Sequence, residues 1–116
     1  VTVTGYSSPE GYALNNERLA EKRAKALQEF LENKYGERME IAVEWVGEDW
    51  EQFEKDIELS DLPERDEILS ILRTVKDNNQ RKKSLKTLNK GKTFGVLLRE
   101  YFPKLRRVSC RIRYVK

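Results

Sequence analysis

Histidine is absent from this 116-residue chain, and cysteine occurs once, at Cys110. Those two facts remove the imidazole general base, the internal disulfide and the His/Cys zinc cluster together, so no metal site is expected. Tyrosine, lysine and carboxylates are plentiful, but no spacing sets a nucleophile beside a base, and catalysis is not expected. Cys110 lies in Val108-Ser109-Cys110-Arg111-Ile112-Arg113-Tyr114, in phase with the apolar residues Val108, Ile112 and Tyr114. That phase predicts a buried, unreactive thiol, and a lone thiol with no partner to mispair with tolerates an oxidising compartment. No apolar run is long enough to span a bilayer and no basic-then-apolar leader is present. The chain opens on Val1-Thr2-Val3-Thr4, already alternating and without an initiator Met, which is expected of a piece of a longer protein, in which any signal peptide, membrane anchor or neighbouring domain would lie upstream. Internal repeats and low-complexity linkers are also lacking.

What is present fits one domain over residues 1–116, with an apolar content of 38% that supports a modest core. The net charge of +3 is mild, but the positive residues cluster. Arg81, Lys82, Lys83, Lys86, Lys90 and Lys92 form one group; Lys104, Arg106, Arg107, Arg111 and Arg113 form another. Solvated faces are the favoured reading of both. Nucleic-acid binding is disfavoured, because no aromatic residues for base stacking are interleaved with the basic ones.

Val1 to Tyr6 reads as a strand that stops at the turn-forming run Ser7-Ser8-Pro9-Glu10-Gly11. From about Asn15 to Tyr35, the residues Leu19, Ala20, Ala24, Leu27, Phe30 and Leu31 recur at helical spacing, and Gly36 supplies the stop. Met39, Ile41, Val43 and Trp45 alternate with Glu40 and Glu44 in a second strand that ends at Gly47. The pattern from 49 to 104 is wholly helical. Trp50, Phe53 and Ile57 mark a short helix, and Asp61-Leu62-Pro63 offers a cap and a first-turn proline for another that carries Ile68, Leu69, Ile71, Leu72 and Val75. Leu85 and Leu88 mark a third, closed by Gly91, and Phe94, Leu97, Leu98 and Tyr101 a fourth, ended by Pro103. Val108 to Tyr114 is a final strand. The order predicts an α/β (α+β) sandwich, β-α-β-(helical insertion)-β, with helices packed on one sheet face.

Arg23 interrupts the apolar stripe of the first helix, with Leu19 one turn before it and Leu27 one turn after. Asn16 lies seven residues earlier, which at about 100° per residue returns to within roughly 20° of the same bearing. A guanidinium there needs a carboxylate or carbonyl acceptors, because an unpaired buried charge is costly. The loop from Ser7 to Gly11 runs into this helix and offers hydroxyls, amides and Glu10, so Arg23 is expected to reach toward that loop. Two readings stay open at this point: a small polar recess for a ligand, or an arginine that snorkels to the helix edge or pairs with Glu10.

Gly5-Tyr6-Ser7-Ser8, then Asn16, then Leu19-Ala20-Glu21-Lys22-Arg23-Ala24 with Leu27 and Leu31, resembles the core motif of the OmpA C-terminal-like family. Val46-Gly47-Glu48 is similar to the Gly-Glu that ends the family's next strand, and Leu105-Arg106-Arg107-Val108 to the Arg-Arg-Val that opens its last one. The Ser-Pro-Glu-Gly loop resembles a divergent branch of that family in anaerobic Gram-negative bacteria. The resemblance implies a non-enzymatic envelope module at the periplasmic face of the outer membrane, without a cofactor, that associates non-covalently with the peptide stem of peptidoglycan. It implies ligand contacts at Ser7, Ser8, Glu10, Asn16, Arg23 and Arg107. In the family a loop Asp and the helix Arg clamp the ammonium and carboxylate of diaminopimelate; here the Asp position is Ser8, and Glu10 is the acidic side chain left in the loop.

The helical stretch is much longer than the family's usual connection, which makes residues 50–104 either a surface for an envelope protein partner or an elaborate cap on the sheet. The family's first strand and helix have no counterpart before Val1, so either they have been cut away or another chain completes the sheet; an exposed sheet edge is expected, with membrane contact only through upstream regions. A second function follows from Ser8 and the insertion: a protein-interaction module on the same fold that has lost peptidoglycan binding.

Overall fold

Alternation along β1 (Thr2–Ser7) buries Val3, Gly5 and Ser7 on one side and leaves Thr2, Thr4 and Tyr6 half-buried on the other. The computed structural model describes residues 1–11, 13–36 and 40–111. After β1 come α1 (Ala13–Tyr35), β2 (Ala42–Glu48), α2 (Trp50–Glu58), α3 (Arg65–Thr74), α4 (Asn78–Thr87), α5 (Lys92–Val96) and β3 (Val108–Arg111). The architecture is the predicted mixture of helices and one sheet. Strand order is β2-β1-β3; β1 pairs parallel to β2 and antiparallel to β3, and the β1/β2 register shifts between Gly5 and Tyr6. The parallel pair needs a crossover, and α1 supplies it.

Helix α1 lies on the Val3/Gly5/Ser7 face at very short range. A Cβ on Gly5 would stand 1.9 Å from the Ala20 carbonyl oxygen and 3.1 Å from the Ala24 Cβ, so only glycine permits this approach. The buried stripe of α1 is accordingly small and polar: Asn16, Ala20 and Ala24. This corrects the expected stripe, since Leu19 (44% exposed) and Phe30 (58%) lie at the rim. A helix seated this close to a sheet has room for methyl groups beneath it, and larger side chains are displaced to its flanks.

The strand edges depart from expectation for the same kind of reason. Cys110 pairs with Val3 and Val108 with Gly5, which puts both on the helix-facing side as the phase predicts, yet Cys110 is exposed and Val108 is 37% exposed. The helix lies over β1 and β2 and meets β3 only marginally. On the opposite edge, Trp45 (39%) and Val46 (53%) are also partly open, with the Lys25 ammonium 5.8 Å from the Trp45 ring centre. Met39 and the stretch Ile112 to Tyr114, expected in strands, lie outside the described residues.

The insertion carries its own core: Trp50, Phe53, Ile57, Ile68, Leu69, Leu72, Leu85, Leu97, Phe102 and Leu105. Phe53 joins Trp50 and Phe102 at ring separations of 5.8 and 5.4 Å, and Phe94 meets Phe102 at 5.6 Å. Asp49 accepts from the Gln52 amide at the start of α2, and Asp77 from the Gln80 amide at the start of α4, each cap contributing about 1 kcal/mol. The expected cap at Asp61 does not form; α3 begins after Glu64, and no side chain caps it. Beyond α5 the chain widens into a π-helical turn (Leu97–Tyr101) and then tightens into a 3-10 turn (Phe102–Leu105) that leads into β3. The insertion leaves the sheet at the end of β2 and returns at the start of β3, next to the loop that follows β1.

Candidate functional site

The end of β1 is anchored before the loop begins. Ser7 O accepts from the Asp49 amide at 3.1 Å, and Ser8 O accepts from the Glu10 amide at 2.8 Å, which turns the chain sharply at buried Pro9. Ser7 and Ser8 are consequently buried, at 1% and 4% exposure. Arg23 reaches from α1 to this point, where its Nη1 donates to Tyr6 O at 3.0 Å. It is half-buried and does not extend into bulk solvent.

A recess of about 270 Å³ opens between the loop and α1, lined by Ser7, Ser8, Glu10, Asn16, Leu19, Arg23 and Arg106. Five of the residues singled out in the sequence therefore meet in one place: Ser7, Ser8, Glu10, Asn16 and Arg23. Arg107 does not join them. Its Nη1 lies 2.6 Å from Asp49 Oδ2 and its guanidinium stacks 3.8 Å above the Tyr6 ring. Arg106 takes the place expected for Arg107, because consecutive residues in an extended segment point to opposite sides and only one of the two can face the loop. The Arg-Arg pair signals that one guanidinium reaches the site; nothing in the sequence says which.

Arg106 Nε donates to Ser8 Oγ at 3.2 Å, and Arg106 Nη2 is ion-paired with Glu10. Glu10 thus reaches the recess, but with its charge engaged, unlike the free anion that the loop sequence suggests. Ser7 Oγ is buried with no hydrogen-bond partner among the described residues. An unsatisfied buried hydroxyl costs about 1–3 kcal/mol, so it is a group that an incoming ligand atom can satisfy.

Beneath the recess lies a polar network that the sequence reading missed. Glu48 accepts from Asn16 Nδ2 at 2.6 Å, from Trp50 Nε1 at 3.0 Å and from Lys82 Nζ at 2.5 Å. Lys82 also donates to Gly11 O at 2.6 Å. The Glu48 and Lys82 side chains are 1% and 5% exposed, so Lys82 does not belong to a solvated basic face. Its neighbour Arg81 is likewise turned inward, donating to Val75 O and Leu72 O at the end of α3. A lysine set among charged residues gives no sequence signal of burial; its partner is 34 residues away, and only the fold brings the two together.

Chemically, the recess offers two guanidiniums, one paired carboxylate and an unpartnered hydroxyl, an array suited to holding a small polar or anionic group by charge-assisted hydrogen bonds. Among the described residues, no group of three or more His, Cys, Asp or Glu side chains is placed to hold a metal ion.

No protein-family model matches the chain, and no solved structure matches it. Over 56 residues it is 46% identical to outer membrane protein 41 of Porphyromonas gingivalis. That stretch is 47% of this chain and 14% of that protein, so the similarity takes in only a small part of the longer relative.

Proposed function

We propose that this chain is an OmpA-like, non-enzymatic envelope module, acting at the periplasmic face of the outer membrane and associating non-covalently with the peptide stem of peptidoglycan. The observation that carries this reading is the convergence of Ser7, Ser8, Glu10, Asn16 and Arg23 on one recess, with Arg23 held against the end of β1. The partial identity with outer membrane protein 41 supports an envelope setting. No helix among the described residues is long and apolar enough to cross a membrane, so insertion through such a helix is no part of the proposed role.

Co-sedimentation with purified peptidoglycan sacculi tests the reading. Wild type is expected in the pellet, and Arg23→Ala to bind about tenfold or more weakly with an unchanged circular dichroism spectrum, from the loss of charge-assisted hydrogen bonds. Wild type remaining in the supernatant would overturn it. A second reading, a protein-interaction module that has lost the wall ligand, is favoured by Ser8 at the family's Asp position, by the engagement of Glu10 with Arg106 and by an insertion with its own core. On that reading the partner is an envelope protein bound through residues 50–104. Nucleic acid is the least favoured partner, because Arg81, Lys82, Arg106 and Arg107 all have internal partners.

A further inference from the structure

The charge of the recess does not match a ligand that presents an ammonium and a carboxylate equally. Arg23 and Arg106 stand against the single carboxylate of Glu10, which Arg106 already holds. Neighbouring carboxylates are engaged as well: Glu48 with Lys82, Asn16 and Trp50, and Asp49 with Arg107. Arg106 already balances the Glu10 charge, so an ammonium entering the recess meets two guanidiniums and no uncompensated carboxylate, and gains little. A carboxylate displaces nothing. It meets the two guanidiniums and the buried Ser7 hydroxyl, which has no partner of its own among the described residues.

Resting on the reading above, we propose that the recess is a carboxylate site in which Arg106 is a specificity-determining residue: the ligand carboxylate lies between Arg23 and Arg106 and accepts from Ser7 Oγ, and a ligand ammonium adds nothing to binding. Glu10 and Ser8 then have a positioning role. Together they fix the Arg106 fork over the recess, Ser8 through Nε at 3.2 Å and Glu10 through Nη2.

Chemically modified sacculi separate the two halves of the ligand without altering the protein. Acetic anhydride caps free amines and leaves carboxylates, whereas carbodiimide with methylamine removes carboxylates and leaves amines. Affinity for amine-capped sacculi is expected to stay within about twofold of untreated material, and affinity for carboxyl-amidated sacculi to fall by about tenfold or more. Arg106→Gln, checked for folding by circular dichroism, is expected to weaken binding to untreated and amine-capped sacculi alike. Loss of binding on amine capping, or indifference to carboxyl amidation, would overturn the proposal while leaving peptidoglycan association intact. If untreated sacculi are not bound at all, the peptidoglycan reading fails by itself, and the site is judged by NMR titration with N-acetylglycine. Shifts of the Ser7 and Ser8 amides that disappear in Arg106→Gln uphold the carboxylate site; their absence in wild type overturns it.

Discussion

Gly5 sets the distance between the sheet and its helix. Because a methyl group there would stand 1.9 Å from the Ala20 carbonyl oxygen, which is fixed helix backbone, Gly5→Ala must push α1 off β1 or bend the strand. We expect a loss of about 2–3 kcal/mol in urea denaturation, at the upper end of overpacking effects, and a change below about 0.5 kcal/mol would show that α1 is not seated this closely. The same residue-scale geometry decides Arg23. With small residues filling the helix–sheet contact, the longer side chains of α1 emerge at its flanks, and the Arg23 guanidinium emerges beside Tyr6 O.

At the scale of elements, β3 shows how phase and burial separate. Its residues alternate as the sequence implies, and Cys110 shares a face with Val3, but α1 passes over β1 and β2 and leaves β3 open. Native protein is therefore expected to react with a thiol reagent such as DTNB at a rate close to that of the urea-unfolded chain, since an exposed thiol needs no opening step. Protection by a hundredfold or more would show that something covers this strand. Among the described residues no strand pairs with the side of β3 away from β1, so Val108 and Cys110 lie beside an open sheet edge.

Over the whole molecule, which measures 53 × 29 × 24 Å, the insertion and the sheet with α1 are linked through Glu48 and Lys82. Glu48 ends β2, Lys82 belongs to α4, and between them they hold Asn16 of α1, Trp50 of α2 and Gly11 of the loop that follows β1. Removing one partner of a buried pair leaves the other uncompensated, so Lys82→Met is expected to lower stability by about 3–5 kcal/mol. Lys82→Met combined with Glu48→Gln should cost clearly less than the two single changes added together, because the isolated charge is gone. Additive losses in that double-mutant cycle would mean that the pair is not coupled. Lys82 also fixes Gly11, and so the insertion supports the loop that lines the recess, although none of residues 49–104 lines the recess itself.

By itself the sequence determined the order of elements, the loop from Ser7 to Gly11, the helical nature of residues 49–104 and the shared bearing of Asn16 and Arg23 on the first helix. Each of these follows from local periodicity, turn chemistry or spacing within a helix, which neighbouring residues carry by themselves. The tertiary structure alone decided which of Arg106 and Arg107 faces the recess, that Glu10 is held by Arg106, that Lys82 is buried against Glu48 and that Cys110 is open. Those outcomes depend on contacts between segments far apart in the chain and on how far α1 extends across the sheet. A charged side chain is buried, paired or exposed according to what the rest of the fold places against it, and its own stretch of sequence is silent on that.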